Sequence, residues 1–268
     1  MRSLLKVLSA LVAFAAGPVA GHEFWIEPVN FSVAPGALVT ADLRVGEMFE
    51  GTTYSYFPDN FLRFDAGPVQ EPKPVAGRMG DRPAMAMQTG KPGLWVIVHE
   101  TTPLWLTYDG FERFVRFTDL HDLSDAQQLH TARGLPSVGF REMYYRHAKA
   151  LVAVGDARRG ADRRVGLLVE IVAETNPYAV IGGGEVTLRM YETGTPRANA
   201  QIEIYVRTVD GVEQRMLRSD GEGRVTTALP SGAQVMANFT TIAPLDGDPD
   251  AREAVWMSRW ASLTFAMP

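Results

Sequence analysis

The sequence predicts an all-β protein made of two β-sandwiches with a small helical insert. Short runs that alternate apolar and polar residues lie on both sides of residues 109–154, which is the pattern of half-buried strands. Turn-forming residues separate these runs, with 25 Gly and 17 Pro in the chain. With 268 residues, of which 46% are apolar and 21% charged, the chain is long enough to form globular domains with cores of their own.

Residues 1–21 have the composition of a secretory signal peptide. Two basic residues precede an apolar run at residues 7–16, which is shorter than the ~20 residues that a membrane-spanning helix needs. Cleavage after Gly21 leaves small residues at both recognition positions, so we expect the mature chain to begin at His22. The mature protein is then expected to be periplasmic or secreted, without a membrane span.

Charge and cysteine content exclude several kinds of function. Of 26 Lys and Arg residues, loss of Arg2 and Lys6 leaves 24 against 31 Asp and Glu, a mature net charge of −7. Nucleic acid is therefore not an expected partner, because binding it without sequence preference requires a basic surface. The chain has no Cys, which excludes disulfides, zinc–thiolate sites and a Cys nucleophile. Gly-x-Ser-x-Gly and His-Glu-x-x-His are also absent, so the sequence indicates no enzyme.

Residues 22–175 are predicted to form the first sandwich. Residues 39–45 alternate apolar and polar side chains, and residues 94–98 form an apolar run typical of a buried strand. Residues 104–108 are another predicted strand, and strand structure returns at residues 167–173.

The helical insert is expected at about residues 109–154. Its first helix is predicted from four residues at helical spacing, Phe111, Phe114, Val115 and Thr118. A second short helix begins at Ser124 or Asp125 and ends near Arg133. Apolar residues at helical spacing predict a third helix from about Arg141, with His147 in its apolar stripe.

Residues 176–268 are predicted to form the second sandwich. Asn176-Pro177 marks the boundary, since this dipeptide is typical of a turn. Period-2 alternation then recurs in about six strands. The clearest of them lie at residues 186–190, 202–206, 225–229, 235–241 and 256–265.

Several segments together resemble one family of bacterial proteins, DUF4198. They are His-Glu-Phe-Trp-Ile-Glu-Pro at 22–28, Leu-Arg-Val-Gly-Glu at 43–47, His-Thr-Ala-Arg-Gly-Leu-Pro at 130–136, Arg-His-Ala-Lys-Ala-Leu at 146–151, Asn-Pro-Tyr at 176–178 and Trp-Ala-Ser-Leu-Thr-Phe at 260–265. The resemblance implies a periplasmic component of nickel or cobalt uptake, with a membrane metal transporter or a TonB-type receptor system as partner. Some relatives carry a His in the penultimate strand, where this chain has Thr240-Thr241. Residues 195–229 also resemble transthyretin-like and carboxypeptidase-regulatory-like sandwiches.

His22 is the first candidate metal ligand. At a mature N-terminus it offers a free α-amine and an imidazole nitrogen, which together chelate one ion. A second imidazole completes a set of three nitrogen donors suited to Cu(II), Ni(II) or Zn(II). The alternative is that His22 has no ligand role and that the following aromatic residues anchor the first strand.

The second imidazole is expected from one of the other histidines. His130 is the first choice, because it lies in the family-like segment at 130–136, and His99 or His121 is expected nearby. His147 is expected to serve packing instead. The expected ligand is a divalent transition metal (nickel, cobalt, copper or zinc).

The sequence therefore predicts a periplasmic protein that binds or delivers a transition metal. Two alternatives remain open. One is a metal-free β-sandwich that serves as an interaction module. The other is a copper oxidase with a histidine brace, which resembles the copper monooxygenases that act on polysaccharides.

Overall fold

A computed structural model describes residues 23–247 and 251–268. The predicted signal peptide and His22 lie outside the described residues. Within the described part, strands form three sheets and there are two short α-helices, which confirms the all-β prediction. None of the described helices has the length and apolar character that crossing a membrane requires.

A central sheet of ten strands organises the described chain. Its strands are β2 (Ser32–Val33), β5 (Phe61–Pro68), β6 (Lys73–Pro74), β8 (Gly93–Thr101), β9 (Leu104–Tyr108), β10 (Phe140–Val154), β14 (Gln201–Thr208), β15 (Gly211–Arg218), β17 (Gln234–Pro244) and β18 (Ala254–Ala266). The order is β15-β14-β17-β18-β10-β8-β5-β6, and β2 and β9 also pair with β10. The pairing of β10 with β18 is parallel, and it joins a strand from the middle of the chain to the last strand.

Two smaller sheets accompany the central one. The first contains β1 (Glu23–Pro28), β3 (Leu38–Glu47), β4 (Glu50–Tyr54) and β7 (Met85–Gln88). The second contains β11 (Val169–Ala173), β12 (Gly184–Glu192), β13 (Thr195–Pro196) and β16 (Arg224–Leu229). Single 3₁₀ turns lie at Pro58–Asn60 and Pro177–Ala179.

The smaller sheets cover opposite faces of the central sheet, and strand β10 shows this most clearly. Ala150 and Val152 pack in the core shared with β1, β3 and β7. Leu151 and Ala153, which point the other way, pack in the core shared with β11 and β12. Strand β10 is therefore buried on both faces.

This burial explains why the third helix predicted from about Arg141 is wrong, since β10 occupies residues 140–154. Every residue from 147 to 154 is buried, so this part of the strand has no polar face to produce period-2 alternation. A continuous apolar run contains residues at helical spacing by chance, and periodicity alone does not separate the two structures.

The first two predicted helices are confirmed as α1 (Phe111–Leu120) and α2 (Asp125–Ala132). Phe114 and Phe117 are the buried aromatic residues of α1. They pack against Trp256 and Trp260 of β18. The helices therefore cover part of one face of the central sheet and bring the C-terminal end of α1 onto it.

The central sheet contains strands from both sides of the predicted boundary at residues 175 and 176. Strands β14, β15, β17 and β18 come from the C-terminal segment, and the other six come from the N-terminal segment. The division into sandwiches at 22–175 and 176–268 stays a prediction.

Candidate functional site

A row of buried polar residues crosses the central sheet on the face toward β1 and α1. Glu203 on β14 pairs with Asn238 on β17, and Asn238 pairs with Ser262 on β18. All three are less than 5% exposed. Thr240 lies two residues along β17 and so on the same face. Its hydroxyl and that of Ser262 lack hydrogen-bond partners within the described residues.

Such polar groups are costly inside a protein. A buried hydroxyl without a partner loses its hydrogen bonds to water and gains none in return. Unpaired groups in one place therefore need an explanation, and a bound polar species or ion is one of the common ones.

His121 lies against this row, at the residue that follows helix α1. Its Nδ1 lies at hydrogen-bonding distance from Oε1 of Glu203, 2.6 Å, and each side chain is 2% exposed. The imidazole contacts the rings of Trp260 and Phe117, with centroids 4.8 and 5.3 Å away. Nε2 of His121 and Oε2 of Glu203 are both buried without a partner among the described residues. One nitrogen of the ring is therefore held by a carboxylate, and the other is available to a ligand.

Glu23, the first described residue of β1, belongs to the same region. Tyr205 donates its hydroxyl to Oε1 of Glu23 at 2.6 Å, while Oε2 has no partner in the part of the chain that is described. Burial raises the pKa of Glu23, the nearby Glu203 raises it further, and His121 lowers it. Both groups are thus close enough to Glu23 to interact electrostatically with it.

The predicted mature N-terminus is the residue that directly precedes Glu23. His22 lies outside the described residues, but it is bonded to Glu23, and neighbouring Cα atoms are about 3.8 Å apart. The position of Glu23 therefore limits how far the backbone of His22 can lie from His121 and Glu203.

His130, the first-choice partner of His22, has both ring nitrogens engaged. Trp256 donates its indole N–H to Nδ1 at 3.1 Å, so Nε2–H donates to the carbonyl of Pro136 at 3.0 Å. The ring packs among Phe114 and Phe140, and burial lowers its pKa. Through these contacts His130 links helix α2 to strand β18 and has a structural role.

His99 on β8 lies in an aromatic environment instead. The rings of Phe24, Phe61 and Phe64 surround it at centroid distances of 5.0 to 5.4 Å. Burial lowers its pKa to about 3, so the ring stays neutral. His147 lies on β10 with Nε2 3.3 Å from a carboxylate oxygen of Glu100.

The structure thus brings His121, Glu203 and Glu23 into one buried region. The pairing of His22 with His130 stays a prediction, but the geometry favours His121 as the second imidazole. Among the described residues, no three His, Cys, Asp or Glu side chains are arranged to hold a metal ion.

The sequence analysis identified neither Glu203 nor Glu23 as a site residue. A signal for Glu203 was present. It lies between Ile202 and Ile204 in a run that is otherwise apolar, and an acidic residue there indicates a buried group with a partner.

Two other buried ionisable groups have complete sets of partners. Glu142 accepts hydrogen bonds from Tyr108 and Ser258. Lys149 binds Asp162 at 2.9 Å and Glu170 at 3.2 Å. The partners of Glu142 and Lys149 therefore offset the cost of burying these groups. The pair formed by His121 and Glu203 instead keeps one unpartnered atom on each side chain within the described residues.

The fold and the site define an all-β sandwich protein with a partly satisfied histidine–carboxylate pair inside it. The chain belongs to the DUF4198 family, whose model, described as a domain of unknown function, matches residues 19–242. No curated protein matches the chain.

Three solved structures show distant similarity. The D0-D1 domain of intimin has 10% identity and a TM-score of 0.20, with 90% of this chain and 97% of that chain covered. A tetra-tandem repeat of a large adhesion protein has 9% identity and a TM-score of 0.22, with coverages of 91% and 49%. Alpha-2-macroglobulin of Escherichia coli has 11% identity and a TM-score of 0.22, with coverages of 92% and 20%. These TM-scores are too low for the similarities to bear on the function of this chain.

Proposed function

We propose that this is an exported protein that binds a divalent transition metal through His22 and His121. The observation that carries the proposal is the state of His121. Its ring is buried, its Nδ1 is fixed by Glu203, and its Nε2 has no partner within the described residues. Histidines that bind metals generally have this arrangement, with the second ring nitrogen donating to a carboxylate or carbonyl.

The expected donors are three nitrogens. The α-amine and imidazole of His22 supply two, and Nε2 of His121 supplies the third. Such a set suits copper, nickel, cobalt or zinc and does not require a thiolate, which this chain lacks. The buried carboxylates of Glu203 and Glu23 add negative charge, which favours a cation in a region with little access to water.

The proposed role is to carry the ion in the periplasm. Delivery to a membrane metal transporter or a TonB-type receptor system is the corresponding partner proposal. In this account the metal is cargo, and no catalytic step is assigned to the protein.

The test is a calorimetric titration of the protein beginning at His22 with Cu(II), Ni(II), Co(II) and Zn(II). We expect one ion per chain, and we expect His121→Ala to weaken binding at least tenfold. His130→Ala is the matched control, since it also removes a buried histidine beside a tryptophan. This variant should lower stability and leave affinity unchanged.

A protein with one residue added before His22 should bind as weakly as His121→Ala, because the added residue converts the amine to an amide. Absence of binding to all four ions would contradict the proposal. Equal losses in His121→Ala and His130→Ala, with both variants folded, would contradict the choice of His121.

The metal-free interaction module is the second candidate function. Its support is the lack of any three-donor group among the described residues, because that leaves the metal site dependent on His22. The same titration separates the two candidates.

A further inference from the structure

We infer that Glu203 is a positioning residue, which keeps the proton of His121 on Nδ1 and thereby makes Nε2 the ligating nitrogen. This role rests on the proposed function. In this role, Glu203 on β14 determines which ring nitrogen of His121 can bind the metal.

The contact between the two side chains has the geometry that such a role needs. The distance from Nδ1 to Oε1 is 2.6 Å, with both groups almost fully buried. A carboxylate accepts hydrogen bonds and a neutral imidazole has one N–H, so the carboxylate draws that proton to Nδ1. Nε2 then presents a lone pair.

Further contacts hold the two elements in register around this hydrogen bond. The amide of Gln201 donates to the carbonyl of Leu120 at 2.7 Å and to Oε1 of Glu203 at 3.3 Å. Arg218 on β15 binds Asp122 at 2.7 Å. His121 is therefore flanked on both sides in sequence by residues tied to β14 or β15, so its ring has a fixed place relative to Glu203.

A purely structural role for Glu203 leaves one observation unexplained. Burying a carboxylate costs free energy that full hydrogen bonding must offset. Glu142, a comparable buried carboxyl, uses both oxygens, whereas Oε2 of Glu203 has no partner in the described residues. A bound cation close to Oε2 would offset the cost of burying this oxygen, because its positive charge attracts the carboxylate.

The first test uses the unchanged, metal-free protein. Two-dimensional ¹H–¹⁵N spectra of the imidazole nitrogens, recorded where the ring is neutral, should show His121 protonated on Nδ1 and unprotonated on Nε2. A proton mainly on Nε2 would overturn the inference. This readout needs no variant and no metal, so it decides the role of Glu203 independently of the titration.

The second test compares Cu(II) affinity in two variants. Glu203→Gln keeps an oxygen that accepts from Nδ1–H but removes the negative charge, so its loss of affinity should be clearly smaller than that of Glu203→Leu. Glu203→Leu removes the acceptor and should weaken Cu(II) binding about 10- to 100-fold, the usual effect of losing such a partner. Glu170→Gln and Glu170→Leu are the matched controls, because Glu170 is a buried carboxylate that binds Lys149 instead, and neither should change the affinity.

The outcomes separate the two claims. If folded Glu203→Leu binds as tightly as Glu203→Gln, the positioning role is wrong even though the protein binds metal. If the unchanged protein binds no metal while His121 is protonated on Nδ1, the proposed function fails and the positioning of the ring stands.

Discussion

The histidines of this chain show how the surroundings of a ring determine what it can do. His130 uses both nitrogens in hydrogen bonds, and burial keeps His99 neutral by lowering its pKa. His121 combines one fixed nitrogen with one unpaired nitrogen. Their sequence contexts do not separate these environments, because each depends on a partner more than 30 residues away. Candidate ligands could therefore be identified from sequence, whereas the choice among them depended on tertiary contacts.

The lowered pKa of His99 predicts a pH dependence of stability. The folded protein binds a proton at His99 only near pH 3, whereas the unfolded chain binds it near pH 6.5. Acidification therefore stabilises the unfolded state, and stability should fall as the pH decreases from 6.5 toward 3. The contribution of His99 is on the order of 4 kcal/mol over this range.

Urea denaturation of His99→Leu at several pH values tests this. The variant cannot titrate at this position, so its free energy of unfolding should decline less than that of the unchanged protein below pH 6.5. Parallel pH profiles for the two proteins would contradict a buried neutral His99.

Among the elements, β10 shows where sequence patterns were insufficient. Helices α1 and α2 were predictable because each has one buried and one exposed face, which produces a helical period. Strand β10 is covered on both faces, so its alternation is lost. The strand at residues 186–190 was predictable because it kept a period of two.

The buried side chain of Lys149 on β10 leads to a prediction about stability. Its ammonium group is buried between Asp162 and Glu170. Replacing it by Met keeps an unbranched side chain but leaves two buried carboxylates without a counter-charge. We expect Lys149→Met to lower the free energy of unfolding by about 3–5 kcal/mol.

Lys91 is exposed, so Lys91→Met is the control, and it should change stability by less than about 0.5 kcal/mol. Chemical denaturation of both variants measures the difference. A small effect of Lys149→Met would mean that the ion pairs are not buried as described.

At the scale of the whole molecule, the central sheet combines strands from the segments before and after residue 175. The parallel pairing of β10 with β18 places residues more than 100 positions apart side by side. Sequence patterns predicted the strands and the all-β class, but they carry no information about which strands pair across such separations. For this reason the shared sheet could not be predicted from the sequence.

The shared sheet predicts cooperative unfolding. Separating the segments before and after residue 175 would break the pairing of β10 with β18 and expose the cores on both faces. We expect one urea transition, with coincident midpoints for tryptophan fluorescence and far-UV circular dichroism. Two resolved transitions would show that the segments unfold independently.

The central claim is that a metal ion binds between His22 and His121. Anomalous diffraction from crystals of the copper-loaded protein beginning at His22 tests it most directly. We expect one strong peak about 2.0–2.1 Å from Nε2 of His121 and within bonding distance of the amine and imidazole of His22. A peak at His99 or His130, or no ordered copper in a crystal grown with excess Cu(II), would contradict it.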